Sequence, residues 1–147
     1  MAGEVYGSFA GYERQIAASG CGDRIHLFNY YIDDEEVPVF FSAADVCILS
    51  YKSATQSGIA SVANHFDLPL IATDVGGLKE TIAHGETGLI VDSPEAGPIA
   101  EAVRTFFDNG LKMRFAENIR KEKQENSWEN FARKTIAFCA EVSKKTK

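Results

Sequence analysis

The sequence predicts a doubly wound α/β fold, in which a parallel sheet is covered by helices on both faces. Strand-like and helix-like segments alternate along most of the chain with short connections. The strand-like segments are almost continuously apolar, as expected for parallel strands that are buried on both faces. We therefore expect four or five parallel strands and no second domain.

The N-terminal part predicts a short strand in MAGEVYGSF, a helix in GYERQIAASG and a strand in RIHLFNY. Ile16 and Ala17 form the apolar side of the first helix, and Gly20 is its expected C-cap. Asp33 or Asp34 can cap a second helix around DEEVPVFFSAA, where Pro38 is tolerated only in or near the first turn. We expect this end of the sheet to be incomplete, because MAGEVYGSF offers no Gly-rich strand–turn–helix unit.

The central part predicts three strands, DVCILSY, LPLIATD and TGLIVD, separated by two helices. The first helix runs from Ile59 to Phe66 and the second from Gly77 to about His84. Ligands of parallel sheets bind beyond the carboxyl ends of the strands, so the loops after Tyr51, Asp74 and Asp92 should form the functional edge. The strand residues expected to be buried are Cys47, Ile48, Leu49, Leu70, Ile71, Leu89 and Ile90.

The remaining 50 or so residues predict helices in PIAEAVRTFF, LKMRFAENIRKEKQ and SWENFARKTIAFCAEVSKK. The chain thus divides into a sheet region of about residues 1–95 and terminal helices of about residues 96–147. Residues 1–110 carry 5 Lys/Arg and 16 Asp/Glu, whereas residues 111–147 carry 10 and 5. The acidic part argues against nucleic acid as a partner, and the basic part is interpreted as the solvated face of the terminal helices.

Composition indicates an ordinary soluble protein, with 45% hydrophobic and 24% charged residues in 147. No apolar run reaches the length of a membrane span and no signal peptide is evident, so the expected location is the cytoplasm. Cys21, Cys47 and Cys139 are far apart and are interpreted as structural or incidental. Neither a disulfide framework nor a zinc site is expected, because no Cys/His cluster has ligand spacing.

The stretch SATQSGIASVANHF, residues 53–66, follows a predicted strand and leads into a predicted helix. The free amides of a helix start can bind an anion such as a phosphate. Capping of the helix by Thr55 or Ser57 explains the same residues. The sequence alone leaves both interpretations open.

The stretch DVGGLKETIAHGETGLIV places Gly76 and Gly77 between a strand and a short helix. Glycine at these positions allows close backbone approach to a ligand, and Glu80 in the first helical turn complements the helix dipole. Gly85 and Gly88 bracket the next turn. Two ordinary glycine turns of an α/β fold would give the same pattern.

The segments RIHLFNYYIDDEEVPVFFSAADVCILSY and LPLIATDVGGLKETIAHGETGLIV resemble the C-terminal half of GT-B glycosyltransferases, particularly the retaining family 4. The resemblance covers roughly residues 12–110. It implies a Rossmann-like domain that binds a nucleoside diphosphate sugar in a cleft shared with a second, N-terminal Rossmann domain. It also implies that no metal takes part, because backbone amides and a basic pair offset the charge on the leaving diphosphate.

The resemblance implies a donor site at the two loops, with Gly76 and Gly77 beside the cleft. The other implied donor-binding residues are Lys52, Thr55, Gln56, Ser57 and Gly58. The sequence departs from the family pattern of two glutamates eight positions apart. The two possible alignments place Ala54 and Val62, or Thr55 and Ala63, at these positions.

The resemblance further implies that the chain begins after the family's Arg/Lys pair and lacks the N-terminal domain. No catalytic residue is therefore assigned, the isolated chain is expected to be inactive, and membrane association would occur only through the missing part. The alternative is a module that binds a nucleotide or sugar without transferring it, which the lost carboxylates favour. A receiver-like domain is disfavoured, because its Asp cluster and Lys are absent.

The other candidate residues are interpreted more simply. His26, His65 and His84 lack partners at metal or triad spacing and are interpreted as structural. The acidic run from Asp33 to Glu36 suits a helix start. The aromatic residues Phe28, Tyr30 and Tyr31 could stack on a nucleotide base or belong to the core. Trp128 and Phe131 lie in the terminal helix, which in the family crosses to the missing domain.

Overall fold

The computed structural model describes residues 1–145, and the chain divides into two compact units, residues 1–40 and 41–147. The first unit contains helix α1 (Ala10–Ala18) and a 3-10 turn (Gly22–Arg24). Helix α2 (Val37–Ala43) begins in this unit and ends in the second. Pro38 is the second residue of α2, as predicted, where its missing N–H has no helical partner to lose.

The predicted strand RIHLFNY does not form. Its first residue, Arg24, completes the 3-10 turn, and a single parallel bridge joins Phe28 to Ala2. In that bridge the Phe28 amide donates to the Met1 carbonyl at 2.8 Å and the Gly3 amide donates to the Phe28 carbonyl at 3.0 Å. Polar side chains interrupt the apolar run at His26 and Asn29, so the segment cannot bury a continuous face.

The second unit contains a parallel sheet of three strands in the order β1-β2-β3. The strands are β1 (Cys47–Leu49), β2 (Leu70–Thr73) and β3 (Gly88–Val91). The helices are α3 (Gly58–His65), α4 (Leu78–Thr81), α5 (Ala96–Asp108), α6 (Leu111–Glu125) and α7 (Trp128–Lys145). The parallel α/β fold is thus confirmed, but the predicted number of strands is wrong for the part of the chain that the structure describes.

Each face of the sheet packs against its own helices. On one face Leu70 and Ala72 of β2 pack with residues of α3 and α4, among them Ala63 and Leu78. On the other face the core contains buried residues of β2, β3, α5 and α6, namely Ile71, Leu89, Val91, Ala102, Phe106, Leu111 and Phe115. This arrangement explains why the strand β2 is buried at every position and apolar from Leu70 to Ala72, because its side chains alternate between two dry faces.

Ile48 is 46% exposed, contrary to the sequence prediction. It pairs in register with Ile71, so it lies on the face that α5 covers. That helix packs on β2 and β3, and the edge strand β1 extends beyond it. Cys47 and Ile90 were also predicted to be buried, but both are half-buried on the α3 face.

Basic and amide side chains of α6 fasten this helix to the sheet region. Arg114 donates to the Gly85 carbonyl at 3.0 Å, and Asn118 donates to the Glu86 carbonyl at 2.9 Å. Lys112 forms an ion pair with Asp45 at 2.6 Å. The basic charge after residue 110 therefore has partners in the acidic part of the chain, in addition to the solvent contact that the sequence predicted.

Asp67 forms ion pairs with two further basic side chains of α6. Its carboxylate lies 2.7 Å from Arg120 Nε and 2.6 Å from Lys123 Nζ. Partial burial raises the pKa of this carboxyl, but the hydrogen bonds and charges of Lys123 and Arg120 outweigh that effect and hold the pKa below its usual value of 3.8. The backbone at Asp67 has a φ of +56°, a conformation that Asp and Asn tolerate better than other side chains.

Replacing Asp67 with Asn should destabilise the fold in a pH-dependent way. Asn fits the left-handed backbone, so the substitution removes mainly the charge, and we expect a loss of about 1–2 kcal/mol at pH 7. Because the folded pKa is lowered, this stabilisation is present above 3.8 and is lost as the pH falls through the folded value. Urea unfolding between pH 3 and 7 measures the difference. The control Glu117→Gln removes an exposed ion pair with Lys121 and should change little, and a pH-independent difference for Asp67→Asn would contradict the prediction.

Helix α7 exposes large apolar side chains. Trp128 is 86% exposed and Phe131 is 60% exposed, and their rings meet edge to face at 5.9 Å between centroids. Within residues 1–145, no helix combines the length and the apolar character that crossing a membrane requires.

Candidate functional site

The loops after β1 and β2 meet at the carboxyl edge of the sheet. Thr73, the last residue of β2, is buried, and its Oγ1 donates to the Tyr51 carbonyl at 2.6 Å. The same hydroxyl lies 3.4 Å from the Leu49 carbonyl. Because β1 and β2 run parallel, this contact fixes the start of the 50–57 loop beside the turn that follows Thr73. The predicted placement of both loops on one edge is confirmed.

The turn at Gly76 and Gly77 lies directly against the backbone of the 53–57 loop. Gly76 has a φ of +55°, and a Cβ at this position would lie 1.8 Å from the Ala54 carbonyl oxygen. The Gly77 amide donates to the Thr55 carbonyl at 2.9 Å, and a Cβ there would lie 2.9 Å from the same oxygen. Both glycines are therefore needed for the close approach of the two loops.

Ser57 caps helix α3, as one of the two interpretations of residues 53–66 predicted. Its Oγ accepts a hydrogen bond from the Ala60 amide at 3.3 Å and lies 3.3 Å from the Tyr51 hydroxyl. The cap satisfies one amide of the first turn. In the described part of the chain, the amides of Gly58 and Ile59 have no acceptor, so they are free to bind an anion. Capping and anion binding are therefore compatible here.

An open groove of about 500 Å³ lies along this loop. It is lined by Tyr51, Ser53, Ala54, Thr55, Gln56, Ser57, Gly58 and Ile59. Four of the predicted donor-binding residues therefore line one groove, and Gly76 and Gly77 support its backbone from behind. Lys52 is exposed beside it and makes no ion pair within residues 1–145. Whether these residues bind a donor stays a prediction.

Three contributors at this edge were not among the predicted donor-binding residues. Tyr51 lines the groove, Thr73 ties the two loops together, and the Glu80 carboxylate lies beside Gly77. In the sequence, Thr73 is recognisable only as the polar residue that follows the apolar run LIA. The backbone acceptors of its hydroxyl lie more than 20 residues away in the chain, so no local pattern predicts the contact.

The other charged and titratable candidates of the second unit are mostly in structural contacts. Lys79 pairs with Asp74 at 3.1 Å. The His84 ring accepts a hydrogen bond from the Ile90 amide at Nδ1, 2.9 Å away, and so protects an edge amide of β3. Burial raises the pKa of the Cys47 thiol to about 11, which suits an unreactive cysteine. Among residues 1–145, no three His, Cys, Asp or Glu side chains form a group suited to a metal ion.

The aromatic candidates belong to the first unit. Phe28 packs edge to face against Phe40, with 5.0 Å between centroids. Tyr30 donates to the Glu36 carboxylate at 3.0 Å, and this hydrogen bond, with some burial, raises the pKa of the phenol. Tyr31 is 65% exposed. Their role in base stacking stays a prediction.

The fold and this edge define a Rossmann-like α/β domain with a candidate ligand site at the carboxyl ends of parallel strands. Residues 4–134 match the family described as glycosyl transferases group 1, and the chain belongs to this family. The predicted resemblance to a GT-B glycosyltransferase is confirmed.

Curated relatives carry the name D-inositol 3-phosphate glycosyltransferase. The protein from Pseudarthrobacter chlorophenolicus is 38% identical over 74 residues, which are 50% of this chain and 18% of the relative. The protein from Corynebacterium urealyticum is 29% identical over 103 residues, or 69% of this chain and 24% of the relative. The chain therefore spans about a quarter or less of the length of these relatives.

Solved structures of larger proteins share the fold. Sucrose-phosphate synthase from Thermosynechococcus elongatus superposes with a TM-score of 0.72 at 29% identity, covering 90% of this chain and 34% of that protein. The Anabaena protein Alr3699/HepE, solved in complex with UDP-glucose, superposes with a TM-score of 0.70 at 18% identity, covering 90% of this chain and 36% of that protein.

Proposed function

We propose that this chain is the donor-binding part of a retaining glycosyltransferase, which binds a nucleoside diphosphate sugar at the groove along residues 52–58. The close seating of the Gly76–Gly77 turn against this loop, beside the free first-turn amides of α3, is the observation that carries the proposal. The UDP-glucose complex of the Anabaena protein supports this ligand class.

In this proposal the backbone binds the diphosphate. The amides of Gly58 and Ile59 donate to phosphate oxygens, the Thr55 hydroxyl supplies a further donor, and Lys52 adds positive charge nearby. No metal is part of the proposal. The acceptor is bound by an N-terminal Rossmann domain of the same protein, any membrane association passes through that domain, and the protein works in the cytoplasm.

The second candidate is a module that binds a nucleotide or sugar without transferring it. The composition of the 53–58 loop favours this alternative, because SATQSG contains no carboxylate to bind hydroxyls of the ribose or the sugar. Loss of a charged hydrogen bond costs about 1.5–3 kcal/mol, so we expect UDP to bind about 10- to 100-fold more weakly than it binds relatives with the glutamates.

Replacing Gly58 with Pro tests the role of the backbone directly. Gly58 is the first residue of α3, where Pro fits the helix but has no N–H to donate. We expect UDP binding to weaken about 10- to 100-fold while the fold remains, because one hydrogen bond to a charged group is lost. NMR titration of the labelled chain with UDP measures this change.

The matched control is Ala96→Pro, which removes the corresponding amide from the first position of α5. This helix covers the sheet away from the groove, so UDP affinity should not change. Equal affinity of the wild type and Gly58→Pro would place the diphosphate elsewhere. UDP shifts outside residues 52–58 and 76–77 would argue for a different site.

A further inference from the structure

Two polar side chains flank the Gly76–Gly77 turn and are not used in the proposed diphosphate contacts. Glu80 Oε2 lies 3.8 Å, and Gln56 Cγ 3.9 Å, from the position that a Cβ on Gly77 would occupy. Since Gly77 has no side chain, the two groups border the same space beside the turn. Both residues are exposed and can therefore meet a ligand.

Neither side chain has a hydrogen-bond or ion-pair partner among residues 1–143, whose side chains the structure describes. The nearby Asp74 carboxylate differs in this respect, because Lys79 Nζ lies 3.1 Å from it. The Gly77 amide is also engaged, since it donates to the Thr55 carbonyl at 2.9 Å. Glu80 is thus a carboxylate with free acceptor capacity beside the Gly76–Gly77 turn.

We infer that Glu80 and Gln56 together bind a vicinal diol of the donor, either that of the ribose or that of the transferred sugar. This inference rests on the proposed function. A carboxylate only accepts hydrogen bonds and so matches two neighbouring hydroxyl donors, while the Gln56 amide can donate to a hydroxyl oxygen. The pair thus contributes to the affinity for the donor and takes no part in bond cleavage.

Three probes separate the parts of the donor. Inorganic pyrophosphate has no diol, UDP has the ribose diol, and UDP-glucose has both. Each is titrated by NMR into the wild-type chain, Glu80→Gln and the control Glu101→Gln, whose carboxylate lies on α5 at the opposite face of the sheet. We expect Glu80→Gln to weaken the binding of each probe that presents the bound diol about 5- to 20-fold. The affinity for pyrophosphate should not change, because Gln retains the shape of Glu and loses only its charge.

The probes also show which diol is bound. Weakening of both UDP and UDP-glucose assigns the ribose, and weakening of UDP-glucose alone assigns the sugar. Gln56→Ala should produce the same pattern, and the double variant should lose less than the two single losses combined, because both residues bind one diol. Unchanged affinities in Glu80→Gln, or an equal loss for all three probes, would overturn the inference. If the wild type binds none of the probes, the proposed function itself fails.

Discussion

Gly76→Ala should lower the free energy of unfolding by about 2–4 kcal/mol and abolish UDP binding at the groove. Two costs combine at this position. The φ of +55° is unfavourable for a residue with a Cβ, and that Cβ would lie 1.8 Å from the Ala54 carbonyl oxygen. The position of the Cβ is fixed by the backbone of the turn, and the atom that it meets belongs to the backbone of the loop. The clash can therefore be relieved only by moving the 53–57 loop away from the turn.

Gly85→Ala separates these two costs. Gly85 also has a positive φ, +79°, but nothing lies within 4 Å of its Cβ position. This control should lose only about 1–2 kcal/mol and should still bind UDP. Urea unfolding and NMR titration compare the variants. The stability loss of Gly77→Ala should lie between those of the other two, because its Cβ would lie 2.9 Å from the Thr55 carbonyl oxygen. Equal losses for Gly76→Ala and Gly85→Ala would show that the loop tolerates the added atom.

The central part of the fold could be predicted because each strand is bounded and apolar. β1, β2 and β3 all lie within predicted segments, and the turn residues between them agree with the helices that follow. The N-terminal segment failed because RIHLFNY mixes strand-forming residues with polar ones, and the 3-10 turn takes its first residue. Local propensity does not decide such a segment, since strand formation depends on pairing partners.

The exposure of Ile48 shows a second limit of sequence patterns. The run CIL is as apolar as LIAT, yet Ile71 is fully buried and Ile48 is half exposed. The difference arises from position in the sheet, because β2 has neighbours on both sides and β1 lies at an edge of the three-stranded sheet. Strand order is a tertiary property, so hydrophobicity alone cannot assign it.

For the candidate site, the sequence identified the loops but not the contacts between them. Gly76, Gly77 and Ser57 were recognisable because a positive φ, a close approach and a helix cap each favour particular residue types. The partners of these residues are mostly backbone carbonyls, such as those of Ala54 and Thr55, which any residue supplies. A contact with a carbonyl leaves no pattern in the sequence.

We expect this polypeptide alone to transfer no sugar. Transfer requires donor and acceptor to be held together, and such positioning can account for about 7–11 kcal/mol of the barrier reduction. The chain spans only 18% and 24% of the two curated relatives described above, and the proposal assigns acceptor binding to a domain outside the 147 residues. The local cations are also limited, because Lys79 is paired with Asp74 and, among the side chains of residues 1–143, only Lys52 remains beside the groove.

The family resemblance assigns further electrostatic groups to other parts of the protein, so we expect the loss to be large. Removal of a single donor that stabilises a developing negative charge costs about 100- to 1000-fold in rate, and the resemblance implies that a basic pair and a second domain act together with this chain. Incubation of the purified chain with radiolabelled UDP-, GDP- and ADP-sugars and a mixed acceptor panel tests this prediction, with the full-length Pseudarthrobacter relative as positive control. The chain should bind a donor, as the NMR titration reports, and yield no labelled product. Transfer at a rate near that of the relative would contradict the prediction, since it would mean that residues within this chain provide both the acceptor site and the charge stabilisation.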